Sequence, residues 1–363
     1  MRGFESFAVE AFQELSKSDK LEVTLFKGKG KTTHRNVTLP SLGSDSPISR
    51  RLAALLRRDP MFIEQLIYFF FLAPRLRHAD VVLCSDRYIT SMMWFWRRLT
   101  KAKYKILFSN GGPTIPPFTR QNHIHQIAPD HLQLAIEAGM PAEKQTLLTY
   151  GIKMTSELAP LSTEQRTDLR HQLKLPVDLP IVISVAALNK GHKRMDYLIR
   201  EVAALLAPRP FLLMVGQHTD EVKDLSELAE RLLGRDNFTM RSVSQAEVGS
   251  FYRVADVFVL ASLAEGFGRV FIEALSHGLP CLAHDHAVMR FALSDQGFYA
   301  DFSQTGSLTS LLVRVLDEEN SLNDDERRAR QENRQRSAHE RYSWESLQQD
   351  YVAMIQKTAH TKT

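Results

Sequence analysis

From residue 180 onward, short aliphatic runs alternate with longer stretches in which apolar side chains recur every three or four positions. Residues 181–185, 211–215, 238–240, 257–260, 280–283 and 297–300 read as strands, and 195–206, 221–233, 245–254, 269–276 and 308–316 as amphipathic helices. Continuous apolar strands alternating with helices indicate βαβ units, whose parallel strands are covered on both faces. The pattern predicts a Rossmann-like domain with a parallel sheet. The first half follows a weaker version of the same rhythm. It predicts strands at 21–26, 81–84, 104–108 and 146–148, and helices at 4–15, 61–76, 89–99 and 130–138. A helix almost at Met1 is unusual for such a domain, which ordinarily opens with a buried strand, so the first strand is expected to be missing. Pro160, Pro176 and Pro180 bracket a polar helix, the mark of a linker. After the second domain come a charged helix, 324–341, and a final one, 344–357, with Leu347, Tyr351, Met354 and Ile355 on one face.

The 363 residues suit two such domains, and 44% hydrophobic with 24% charged residues excludes a disordered or rod-like chain. The expected division is 1–155, 156–340 and a terminal helix, 341–363, packing on the first domain. Cys84 and Cys281 stand far apart, which argues against a disulfide framework or a thiolate zinc site. No secretory leader is evident in the first twenty residues, and the longest apolar run, 66–73, is far short of the ~20 residues a membrane span needs. A cytoplasmic location is expected. The net charge of +4 hides an asymmetry. Residues 1–150 hold 21 Lys and Arg against 13 Asp and Glu, a balance of +8, and the remainder holds 25 against 29, a balance of −4.

The densest chemistry lies at Glu265-Gly266-Phe267-Gly268-Arg269-Val270, followed by Glu273. The two glycines free the backbone to approach a ligand, and the amides of a new helix N-terminus favour phosphate. Glu265 falls in the loop and Glu273 two turns into the helix, placed to address two parts of one extended ligand. Taken alone, the glycines could equally form a plain helix entry, and the glutamates a cap and a solvated face.

The whole string, with 251–260 leading into it and 274–282 leaving it, resembles the E-x(7)-E signature of retaining glycosyltransferases of family 4 (group 1). The likeness is strong over about 180–315 and weak over 1–150. It implies the GT-B fold, an α/β architecture of two facing Rossmann-like domains with a C-terminal helix crossing back to the first. It also implies that Glu273 binds the ribose hydroxyls of a nucleotide sugar and that Glu265 contacts the donor sugar near its reacting carbon. Gly266, Phe267, Gly268, Arg269 and Val270 would cradle the donor. In the loop 186–194, Lys193 matches the lysine that neutralises the leaving diphosphate. Leu188 stands where the family usually has an arginine, so Lys190 or Arg194 is expected to substitute. Gly3 and Phe4 resemble the glycine loop that reaches the diphosphate from the first domain. The family's cleft histidine is absent after the strand at 104–108, which leaves Asn110, Gly111 and His123 as acceptor-side candidates. No D-x-D carboxylate pair occurs, so neither a metal nor any cofactor is expected beyond the nucleotide sugar.

The resemblance implies transfer of a sugar from a nucleoside diphosphate to a glycan, a lipid-linked glycan or a small hydroxyl acceptor. A non-catalytic nucleotide-sugar-binding paralogue and a GT-B epimerase share the architecture. The basic segments 50–58 and 94–103 mix cations with large apolar groups, a composition suited to peripheral contact with an anionic membrane, on its inner face for a cytoplasmic protein. No motif accompanies the charge that would direct it to nucleic acid.

Overall fold

The computed structural model describes residues 3–112, 116–154 and 160–361. The chain divides into two units, Met1–Gly151 with Trp344–Thr363, and Ile152–Ser343. The expected boundary at 155/156 lies outside the described residues.

In the first unit, α1 (Gly3–Leu15) precedes a separate two-stranded parallel ladder, β1 (Leu25–Lys27) and β2 (Asn36–Thr38). The run at 21–26 therefore does not join the main sheet, contrary to its apolar character. Three helices follow, α2 (Pro47–Leu56), α3 (Pro60–Leu72) and, after β3 (Val81–Cys84), α4 (Arg87–Thr100). Ser46, Asp59 and Asp86 cap their N-termini by accepting backbone amides, and Pro47 and Pro60 occupy the first turn, where a missing N–H is harmless. Then come β4 (Lys105–Asn110), β5 (His123–Gln126), α5 (Pro129–Glu137) and β6 (Gln145–Leu147), completing a four-stranded parallel sheet in the order β3-β4-β5-β6. Leu72, Leu76, Ile89, Met93, Tyr104 and Ile106 form the core between helices and sheet.

The second unit runs α6 (Thr163–Gln172), β7 (Ile181–Val185), α7 (Met195–Ala203), β8 (Phe211–Val215), α8 (Val222–Leu233), β9 (Phe238–Arg241), α9 (Gln245–Val254), β10 (Val257–Leu260), α10 (Arg269–Ser276), β11 (Cys281–His284), α11 (Ala287–Leu293), β12 (Gly297–Ala300), α12 (Ser307–Ser321) and α13 (Asp324–Tyr342). Its six strands are parallel in the order β12-β11-β10-β7-β8-β9, with β7, β8 and β10 wholly buried. The polar linker helix is held by charge. From α6, Arg166 and Arg170 both reach Asp256, at 2.8 and 2.7 Å, and the same carboxylate accepts the first amide of β7. The clasp fixes α6 to the amino ends of β7 and β10.

The last helix, α14 (Trp344–Ala359), belongs to the first unit. Trp344 is buried, its ring 5.8 Å from Phe7 of α1, and Tyr351 donates to the Thr149 carbonyl at 2.7 Å. A side chain at Gly151 would strike the Trp344 indole at 2.6 Å, so glycine is required where the chain passes beneath it. None of the described helices is long and apolar enough to cross a membrane.

Candidate functional site

Two loops meet at the carboxyl ends of β7 and β10, which lie side by side in the sheet and where parallel α/β sheets hold their ligands. From the first loop, the Lys193 ammonium lies 2.5 Å from a Glu265 carboxylate oxygen of the second. Both side chains are largely buried. Ser262 donates to the same oxygen at 2.6 Å. The lysine is placed by Asn189, whose side-chain oxygen accepts the Lys193 amide at 2.9 Å and whose carbonyl accepts the Met195 amide at 3.1 Å. From the neighbouring position, the His192 ring bonds the Ala264 carbonyl at 3.0 Å and ties the loops together a second time. Gly216, after β8, completes the rim. Its Cβ would lie 1.9 Å from the Ala186 carbonyl oxygen, so only glycine lets the strand ends approach this closely.

Beyond Glu265, Gly268 takes a left-handed conformation, φ +75°, at the start of α10. Phe267 is buried edge-on to Tyr342 at 5.7 Å and thus anchors the glycine loop rather than lining it with an exposed ring. Arg269 is also buried. Glu273 is half-buried one turn into α10, where Tyr252 of α9 bonds its carboxylate at 3.5 Å and the Val270 carbonyl at 3.4 Å. Burial and the neighbouring carboxylate push the Tyr252 phenol well above its usual pKa, which keeps it a donor to Glu273. His277 packs 5.2 Å from the Tyr252 ring and bonds the Glu273 carbonyl.

The two substitutes expected for the missing arginine do not converge on Glu265. The Lys190 ammonium pairs with Asp224 of α8 at 2.6 Å, and its amide bonds Glu221. Arg194 sits at φ +50° ahead of α7, lies 4.2 Å from the Tyr197 ring centre, and donates to the Phe302 and Ala261 carbonyls at 2.7 and 3.4 Å. Its guanidinium thereby braces two loops. Of the three cations in the loop, Lys193 alone meets the motif. Sequence reading missed Asn189, Ser262 and Tyr252, although the first two stand within four residues of Lys193 and Glu265.

In the first unit, Gly3 begins α1, and the Phe4 ring packs 5.7 Å from Phe7 and 6.5 Å from Tyr150. Asn110 ends β4 and is buried, its amide donating to Gln126, which donates to Gln145. This ladder ties the strands together, while the Asn110 side-chain oxygen is buried with no hydrogen-bond partner. A Cβ on Gly111 would lie 1.9 Å from the Tyr150 hydroxyl, so this glycine admits the tyrosine. His123 is a correction. It is the first residue of β5, paired in register with Leu107, whereas Asn110 pairs with Gln126 at the other end of the strand. Fully buried, its ring bonds the Thr146 hydroxyl at 2.8 Å, and desolvation pulls its pKa down to about 4. It is a neutral sheet residue remote from Asn110 and Gly111.

Residues 165–336 match the family model described as glycosyl transferases group 1. The chain carries a group 1 glycosyltransferase domain. Over 181 residues it is 24% identical to the alpha-monoglucosyldiacylglycerol synthase of Streptococcus pneumoniae, the match covering 48% of this chain and 41% of that protein. The chain thus spans under half the length of that relative. Among solved structures, a glycosyltransferase from Rickettsia africae superposes with a TM-score of 0.77 at 16% identity over 99% of this chain and 96% of that one. Anabaena Alr3699/HepE, solved in complex with UDP and glucose, gives 0.67 at 18% identity over 80% and 82%. The fold is GT-B, shared with these glycosyltransferases. The group 1 domain holds Lys193, Glu265 and Glu273, and among the described residues no three His, Cys, Asp or Glu side chains gather as a metal site would require.

Proposed function

We propose that the protein is a retaining, metal-independent glycosyltransferase that moves a sugar from a nucleoside diphosphate to a hydroxyl of a glycan, a lipid-linked glycan or a small acceptor. The observation that carries this reading is the Lys193–Glu265 contact at the mouth of the sheet, in a domain of the matching family. In the transfer, the bond between the anomeric carbon and the diphosphate breaks as the bond to the acceptor oxygen forms on the same face. The acceptor proton leaves with the diphosphate. Negative charge grows on phosphate as the sugar becomes cationic, and a preorganised ammonium with loop amides stabilises both the charge and its geometry. Lys193 supplies the cation as a point charge, the role a metal would otherwise fill. Glu265 orients that cation in the absence of donor and faces the sugar in its presence, while Glu273, held by Tyr252, takes the ribose. Asn110 and Gly111 serve the acceptor side. The name of the Streptococcus pneumoniae relative supports a lipid acceptor, and the basic first half supports work at an anionic membrane from the cytoplasmic side.

Incubation with a panel of labelled nucleotide sugars and candidate acceptors tests the reading. Transfer with retention, undiminished by chelator, is expected. Tight donor binding with neither transfer nor hydrolysis under any condition would assign the chain to the non-catalytic paralogues.

A further inference from the structure

Nine of the fifteen exposed large hydrophobics among the described residues fall between Ile48 and Leu99, a segment of only 52 residues. They are not scattered. On α2, Ile48, Leu52, Leu55 and Leu56 follow the spacing of a single helix stripe, while Ser49 and Ala53 are the residues it buries. On α3, Leu66 and Phe70 stand one turn apart and exposed, while Ile63, Phe69 and Leu72 are buried. On α4, Tyr88, Phe95 and Leu99 repeat the arrangement outside the buried Ile89 and Met93. Leu55 and Leu99 are each 78% exposed and Phe70 74%, values foreign to a packed side chain. The helices are contiguous. Arg58 after α2 lies 5.7 Å from the Phe62 ring of α3, and Phe62 lies edge-on to Tyr88 of α4 at 5.5 Å. Single exposed apolar residues are normal, but stripes on three packed helices are a binding surface.

Charge selects the occupant. Arg50, Arg51, Arg57, Arg58, Arg87, Arg98 and Lys101 lie on or just beyond these helices and are exposed, and among the described residues none of the seven forms an ion pair. The nearby acids are turned to other work. Asp59 and Asp86 cap α3 and α4, and Glu64 accepts the Ser44 amide. A second copy of the chain would set the same arginines against one another across a self-complementary interface, at a cost that rises as water is excluded.

The geometry points to an anionic bilayer as the covering of α2, α3 and α4, with Leu55, Leu56, Phe70, Phe95 and Leu99 entering the headgroup boundary and the arginines meeting lipid phosphate. The inference deepens the membrane part of the functional reading by naming its surface. Interfacial helices bind through buried apolar area and through charge, so both contributions must be separable here.

Sedimentation of the full chain with vesicles of phosphatidylcholine alone, and with 30% phosphatidylglycerol, tests it at low and high salt. The protein is expected to sediment with the anionic vesicles at low salt and far less with neutral ones. Arg50→Gln/Arg51→Gln/Arg57→Gln/Arg58→Gln is expected to weaken partitioning more than tenfold, because each basic group near such a surface contributes appreciably. Leu55→Ser/Phe70→Ser should weaken it at both salt concentrations, and the control Arg314→Gln/Arg328→Gln should not. Nucleotide binding by the second unit, measured with a panel of nucleoside diphosphates, should persist in every variant and reports separately on the donor reading. If the wild-type chain sediments with no vesicle, the membrane reading itself falls. If it sediments and the folded footprint variants sediment equally well, the footprint is wrong and membrane contact resides elsewhere. If sedimentation velocity instead finds a dimer that Leu55→Ser/Phe70→Ser dissociates, the face belongs to a second copy and the bilayer inference is overturned.

Discussion

In the second unit, apolar side chains fill β7, β8 and β10, Ser184 apart, and polar ones gather in the loops beyond them. In the first unit, Asn110, His123, His125, Gln126 and Gln145 lie inside the sheet while Leu55, Phe70 and Leu99 lie outside. Both sheets are parallel and layered with helices, so fold class does not explain the difference. The second unit also buries charged groups but pairs them, Arg170 with Asp256, Arg334 with Glu319 and Glu201 with the Gly306 and Thr309 amides, and its candidate site is confined to the Lys193–Glu265 contact. The first satisfies its buried polar groups laterally, with His123 on Thr146, His125 on the Leu148 carbonyl, and the Asn110–Gln126–Gln145 ladder. Its apolar surface is freed for something else. The candidate site is thus a compact point in one unit, and the exposed apolar stripes form an extended face in the other.

The sharpest way to break this contrast is at the compact point. Lys193→Ala should lower turnover by a factor on the order of 10² to 10³, as expected for a preorganised cation at a charge-developing site. Lys190→Ala, three positions away but paired with exposed Asp224, should change it less than about threefold. Equal losses in steady-state assays would dissolve the distinction between the two lysines. Glu273→Ala should weaken nucleotide binding strongly, read by titration calorimetry, with Tyr252→Phe giving a smaller loss of the same kind.

Stability separates the units next. Gly216→Ala forces a Cβ onto a backbone carbonyl and should cost about 3 kcal/mol. Gly111→Ala meets only the tip of Tyr150 and should cost about 1 kcal/mol, with Tyr150→Phe easing it. The tryptophans, Trp94, Trp96 and Trp344, all lie in the first unit. Urea unfolding followed by fluorescence should therefore register Gly111→Ala, while Gly216→Ala shifts circular dichroism ahead of fluorescence. Coincident curves would show the units unfolding as one.

The smallest effect concerns pH. Burial pulls His123 and His125 down to about 4 in the folded chain, below the unfolded value near 6.5. Protons then bind the unfolded state first as pH falls, so both histidines remove stability from about pH 6.5 down to about 4 and nothing further below. Fluorescence-detected melting should decline across that window, and His123→Gln should flatten it.

The same contrast explains what could be read from the chain. All six strands of the second unit were legible to within about one residue, the inner ones because a buried apolar run has few other uses, and the half-buried edge strands β9 and β12 because they keep the alternation with helices. The strand His123–Gln126 was not, since two histidines and a glutamine in four residues give no apolar signal, and their partners on and just after β6 lie 19 to 23 residues away. The seven-residue helix Ala287–Leu293 was too short to show a period. At the site, Lys193 and Glu265 were legible through motif and type, but the fates of Lys190 and Arg194 were not. Asp224 and the Phe302 carbonyl, more than thirty and a hundred residues away, decide them.

The placement of α14 bears on how the protein is made. Trp344 and Tyr351 complete an aromatic core begun by Phe7 and Tyr150, so the first unit lacks a structural wall until α14 has left the ribosome. At about 5–20 residues per second, the intervening 192 residues of the second unit delay that closure by roughly ten to forty seconds. During this interval the nascent first unit shows both an unfinished core and the apolar stripes of α2, α3 and α4, which makes it the part of the newborn chain most in need of a chaperone.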